Sequence, residues 1–113
     1  MTVQKLIIRQ KWEAMAEYVY IMLRHIPRTE RFTLGAEIRG CVWRGLRFII
    51  QANALRTGRI KILNNLDIEI QVLQGLIRTG KSLGIIPFKK YETSSRMMVE
   101  IGRMLGGWKK VSR

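Results

Sequence analysis

The most specific chemical spacing in the sequence is Gly75-Leu-Ile-Arg-Thr-Gly80-Lys81-Ser82, which fits the phosphate-cradling P-loop pattern letter for letter. In that pattern a glycine-rich loop wraps its amides around phosphates, the lysine reaches them and the hydroxyl meets magnesium. The chemistry requires a buried strand before the loop and a helix after it whose amino terminus faces the phosphates. Here Gly84 and Pro87 follow Ser82 too closely for that helix, and no later strand pattern ends in a magnesium-binding aspartate. The octapeptide is therefore expected to be a coincidence within and after a helix, and a P-loop nucleotidase is the least favoured alternative.

Other catalytic groups are sparse. Cys41 and His25, the only residues of their kinds, cannot make a structural zinc site by themselves, and one cysteine excludes a disulfide within the chain. His25 stands just before Pro27, where it is expected to meet the last carbonyls of a helix. Cys41 lies beside an apolar stripe and reads as a small core residue. The close carboxylate pairs, Glu13/Glu17 and Asp67/Glu69, read as partners of surrounding cations rather than a catalytic dyad. Neither a catalytic residue nor a cofactor is expected.

The elements that must position these residues follow from punctuation and periodicity. Pro27 and Pro87 break the chain, and Thr57-Gly58 supplies a turn between them. One domain over residues 1–113 is expected, with helices at about 3–25, 33–57, 59–84 and 87–110 and Thr33 as the cap of the second. Steps of three and four link Ile8, Trp12, Met15, Val19, Met22 and Ile26 in the first segment, and Leu34, Ile38, Val42, Gly45, Ile49 and Ala52 in the second. They link Leu63, Leu66, Ile70, Leu73 and Ile77 in the third, and Phe88, Tyr91, Ser95, Met98, Ile101, Leu105 and Trp108 in the fourth. Ile68-Glu-Ile70-Gln-Val72 alternates like a strand, but the helical steps pass straight through it. The expected fold is all-α, an antiparallel up-down four-helix bundle.

Charge is the strongest compositional signal. Lysine and arginine number 21 against 8 acidic residues in 113, a net charge of +13, alongside 47% hydrophobic residues. That combination describes a folded domain with a cationic surface. No apolar run is long enough for a membrane span, and the run after Met1 is too short for a secretory signal, so a cytoplasmic location is expected. Arg39, Arg44 and Arg47 fall opposite the stripe of the second segment, and Arg56, Arg59 and Lys61 cluster at the next turn. Arg78 and Lys81 end the third segment, while Lys89, Lys90, Arg96, Arg103, Lys109 and Lys110 occupy the fourth. Such a surface attracts RNA and DNA backbones without reading sequence. Trp43 and Ile50, on the outward arc with Arg39 and Arg47, suggest a subunit contact. Gly102 and Gly106, four apart before Trp108, allow close approach of another helix.

Two stretches carry a family resemblance. Ile26-Pro-Arg-Thr-Glu-Arg-Phe-Thr-Leu34 through Ile38-Arg39 resembles the junction of helices 1 and 2 in a family of small bacterial four-helix-bundle proteins. That family includes the proteins encoded by intervening sequences in large-subunit ribosomal RNA genes, and Avd, the accessory variability determinant of diversity-generating retroelements. Lys90-Tyr-Glu-Thr-Ser-Ser-Arg-Met-Met-Val-Glu-Ile-Gly-Arg-Met-Leu-Gly-Gly-Trp108 resembles the last helix of the Avd branch. The resemblance implies a non-enzymatic protein forming a homopentameric, barrel-like ring. Its implied partners are the retroelement's reverse transcriptase and nucleic acid, in support of mutagenic cDNA synthesis from template RNA. It also implies a partner-binding role for Arg78, and structural or subunit-packing roles for Gly102, Arg103, Gly106 and Trp108. A bundle of the ribosomal RNA intervening-sequence type, with an RNA-linked role, is the alternative.

Overall fold

Two prolines and two turns divide the chain into four long helices. The computed structural model describes residues 3–113, with side chains from Ile7 onward; Met1 and Thr2, which open the stretch read for a secretory signal, lie outside them. Helix α1 (Val3–Leu23) stops short of Pro27, whose ring removes an amide donor and restricts the residue before it. A 3-10 turn (Arg28–Glu30) then leads into α2 (Leu34–Ala54). Helix α3 (Arg59–Ser82) follows a short turn, and α4 (Phe88–Val111) starts directly after Pro87. No strand occurs among the described residues.

Each helix has one apolar stripe, and burial of the four stripes makes one core. Ile8, Trp12, Met15, Val19 and Met22 of α1, with Ile26 just beyond it, are buried against Ile38, Val42, Ile49 and Ala52 of α2, Leu63 to Ile77 of α3 and Met98 to Trp108 of α4. Trp12, the largest side chain with no exposure, donates its indole N–H to the Val42 carbonyl (3.0 Å). The alternating stretch Ile68–Val72 is part of α3, with Ile68 and Val72 on its outer side.

Neighbouring helices run antiparallel around the bundle, α1 beside α2, α2 beside α3, α3 beside α4 and α4 back against α1. The cross-helix contacts record the directions. Lys11 meets Glu100 and Lys90 meets Tyr18 between α1 and α4, Arg44 meets Glu69 and Arg59 meets Ala52 between α2 and α3, and Asp67 meets Lys109 and Lys81 meets Tyr91 between α3 and α4. The bundle measures 43 × 22 × 19 Å. No helix among the described residues is long and apolar enough to cross a membrane.

The helix ends depart from the sequence expectations. Thr33 occupies the cap position of α2, but its hydroxyl bonds back to Glu30 and caps no amide. Gly58 adopts the left-handed conformation (φ 71°) at the start of α3, whereas α2 has already ended at Ala54 with Leu55 extended. The register of α4 differs as well: Ser94, not Ser95, is buried, and Phe88 is exposed. The stripe Trp108, Leu105, Ile101 and Met98 extends by one step of four to Ser94, which leaves Ser95 and Phe88 off it, and the loop before α4 supplies an apolar side chain to the core instead. Gly84 (φ 74°) lets the chain reverse, and the amides of Ile85 and Ile86 close on the Gly80 carbonyl at 2.8 and 3.1 Å. Ile86 thereby fills the core position expected for Phe88. Ser94 tolerates burial because its hydroxyl donates to the Lys90 carbonyl at 2.8 Å.

Candidate nucleic-acid interface

The P-loop-like octapeptide forms no loop. Gly75 to Ser82 is the last part of α3, so most of its amides serve the helix and cannot cradle a phosphate. Thr79 donates its hydroxyl to the Gly75 carbonyl, and Gly80 is wedged against Ile86 and Leu34. The Lys81 ammonium lies 4.6 Å from the centre of the Tyr91 ring. Among the described residues no group of three or more His, Cys, Asp or Glu side chains could hold a metal ion. His25 is exposed and its side chain bonds to no carbonyl among the described residues; the guanidinium of Arg31 takes the Arg24 carbonyl instead (3.0 Å).

Three of the four carboxylates in the close pairs meet cations, and Glu17 has no ion-pair partner among the described residues. Asp67 accepts from Lys109 (2.5 Å), Glu69 from Arg44 (2.9 Å) and Glu13 from Arg9 (3.4 Å). Cys41 is fully buried beside the Arg44–Glu69 pair. Burial, reinforced by the Glu69 carboxylate, pushes its thiol up to about 11, so it stays protonated near neutrality. The Glu69 hydrogen bond raises the Arg44 guanidinium above its ordinary range and keeps it charged.

The basic residues read as the binding surface divide into anchored and unanchored groups. Arg39 is half-buried and donates to the Arg31 carbonyl (2.8 Å). Arg59 turns back over the end of α2 and donates to the carbonyls of Ala52 (2.8 Å) and Leu55, satisfying acceptors that helix termini leave open. Arg44 is paired with Glu69, and Lys81 rests on Tyr91. Arg47, Arg56, Lys61 and Arg78 are exposed, and none of them has an ion-pair partner among the described residues. Lys61 and Arg78 stand near opposite ends of α3, roughly 25 Å apart along its axis. These residues therefore line the length of the α2–α3 half and do not converge on one point.

The expected packing residues are also separated. Trp43 and Ile50 project from α2 and are 47% and 43% exposed, with the Trp43 indole N–H donating to the Tyr20 hydroxyl (3.0 Å). Gly102 and Gly106 face open space, where an added methyl group would meet nothing within 4 Å, and Arg103 is exposed. Trp108 is buried in the bundle core, so its packing is within the chain. Sequence reasoning passed over Arg24 and Arg31, which share a cavity with Arg39. The three are far from a helical repeat, and only the turn between α1 and α2 brings them together.

The family comparison agrees with the architecture. A family model described as bAvd-like matches residues 6–112, which takes in both stretches whose residues resemble Avd and all of α2, α3 and the intervening turns. No curated protein matches the chain. A match over nearly the whole length, on a chain that forms a four-helix bundle, shows the family: this protein belongs to the bAvd-like family.

Proposed function

We propose that the protein is a non-enzymatic accessory factor of a diversity-generating retroelement. In this reading it gathers reverse transcriptase and nucleic acid, template RNA and cDNA, on a basic exterior and so supports mutagenic cDNA synthesis in the cytoplasm. The observation that supports it is an unbalanced cationic surface on a bAvd-like bundle: a net charge of +13, with Arg47, Arg56, Lys61 and Arg78 exposed and unpaired among the described residues. A ring of five copies at +13 each would carry about +65, a field that concentrates polyanions without base readout. Trp43, Ile50, Gly102 and Gly106, which leave apolar or open surface on α2 and α4, are the places where subunits would meet.

Co-purification tests the reading. The chain expressed with the product of a neighbouring reverse-transcriptase gene is expected to retain both that enzyme and RNA at low salt, and Arg78→Ala is expected to weaken capture of the enzyme. Sedimentation at equilibrium gives the subunit count. A clean monomer that retains neither enzyme nor RNA would remove the proposal.

A further inference from the structure

Three arginines from three consecutive pieces of chain line one cavity of about 440 Å³ at the end of the bundle where α1 hands over to α2. Arg24 follows the last turn of α1, Arg31 follows the 3-10 turn, and Arg39 lies in the second turn of α2; Tyr20 and Leu23 complete the walls. Two of the guanidinium groups are already held in place. Arg31 is anchored on the Arg24 carbonyl (3.0 Å) and Arg39 on the Arg31 carbonyl (2.8 Å), each through Nη2, leaving their other donors uncommitted. None of the three has a carboxylate oxygen within 4.0 Å among the described residues, and the nearby Glu30 carboxylate accepts from Thr33.

The Tyr20 hydroxyl adds a directional donor. It accepts the Trp43 indole N–H (3.0 Å), which leaves its own proton for another acceptor. Three like charges around one cavity repel one another, and an anion seated among them converts that repulsion into attraction. Guanidinium forks suit phosphate oxygens, and prior anchoring reduces the ordering that binding requires. A phosphate monoester offers three terminal oxygens and a charge of about −1.5 to −2, whereas a backbone diester offers two oxygens and about −1.

We propose that this cavity is a phosphate-monoester site, in which Arg24, Arg31, Arg39 and the Tyr20 hydroxyl hold the terminal oxygens of a phosphate carried by a nucleic-acid 5′ end or by a free nucleotide. The site lies beyond the diffuse backbone binding proposed above and is tested separately from it. The probes are two oligonucleotides of one sequence, differing only in a 5′-phosphate or 5′-hydroxyl, together with adenosine 5′-monophosphate, adenosine and inorganic phosphate. The phosphorylated oligonucleotide is expected to bind at least about tenfold more tightly than its hydroxyl twin. Adenosine 5′-monophosphate, but not adenosine, is expected to compete for that difference.

Arg24→Gln, whose side chain makes no hydrogen bond among the described residues, is expected to erase the difference while leaving the circular dichroism unchanged, and Arg31→Gln to do the same. Arg113→Gln, at the far end of the bundle, removes the same charge and is expected to keep it. Phosphorylated oligonucleotide bound far better than the mononucleotide identifies a nucleic-acid end as the source; equal binding of the mononucleotide, or of inorganic phosphate, identifies a free phosphate compound. If neither oligonucleotide binds, the diffuse reading fails, and a saturable mononucleotide titration lost in Arg24→Gln still supports the cavity. Equal affinity for the two oligonucleotides with no saturable mononucleotide or phosphate binding overturns the proposal, as does a preference that Arg24→Gln leaves intact.

Discussion

At Gly45 a methyl group would sit 2.0 Å from the Trp12 indole, whose N–H is tied to the Val42 carbonyl and whose ring has no exposed surface. The ring cannot move aside without losing that bond. Gly45→Ala is therefore expected to destabilise the chain by about 1–3 kcal/mol, despite a helix-propensity gain of up to about 1 kcal/mol. Urea denaturation followed by circular dichroism measures the difference. Cys41 gives a second expectation at this scale. An ordinary thiol loses its proton near 9.0, whereas the folded one holds it to about 11. Between those values the unfolded chain releases a proton that the folded chain retains, so stability is fully present below pH 9 and falls as pH rises toward about 11. Denaturation midpoints across that interval are expected to fall less steeply in Cys41→Ala. The glycine stripe position was legible in the sequence, but its steric reason was not, because Trp12 is remote in the chain and meets Gly45 only across the α1–α2 packing.

Between elements, the ends carry the information that periodicity lacks. The stripes of α1, α2 and α3 could be read directly, since apolar steps of three and four leave little choice about which side faces the core. The beginning of α4 could not, because Ile86 competes with Phe88 for the same space and Gly84 decides the matter by allowing the reversal. In the same way Arg59 reads as one more exposed cation, although its guanidinium closes the last carbonyls of α2. Arg59→Ala is expected to cost about 1–3 kcal/mol, the worth of charged hydrogen bonds, where Lys61→Ala leaves stability within about 0.5 kcal/mol. Gly102 and Gly106 make the opposite case. With open space around them, alanine at either position is expected to stabilise a lone bundle by up to about 1 kcal/mol. Loss of assembly in the same variants, read by sedimentation, would place a subunit against that side of α4.

Over the whole molecule, surplus positive charge sets behaviour in solution. If Arg47, Arg56, Lys61 and Arg78 each neutralise one phosphate of a duplex, the logarithm of affinity should fall against the logarithm of salt with a slope of about −3 to −4 per chain. Fluorescence anisotropy with an unphosphorylated duplex measures it, and a flat response would remove those residues from the interface. The charge excess and the bundle were both readable from composition and spacing; which cations remain uncommitted was not, because the partners of the committed ones are remote in the sequence or are backbone oxygens: the Glu69 carboxylate for Arg44, the Tyr91 ring for Lys81, and carbonyl anchors for Arg31, Arg39 and Arg59. Those anchors have a practical consequence. Arg31, Arg39 and Arg59 brace helix ends against carbonyls that bear no formal charge, and such bonds persist in brine that dissolves long-range attraction. Strong salt should thus wash polyanions away during purification while the bare protein, its braces intact and its self-repulsion screened, loses no thermal stability.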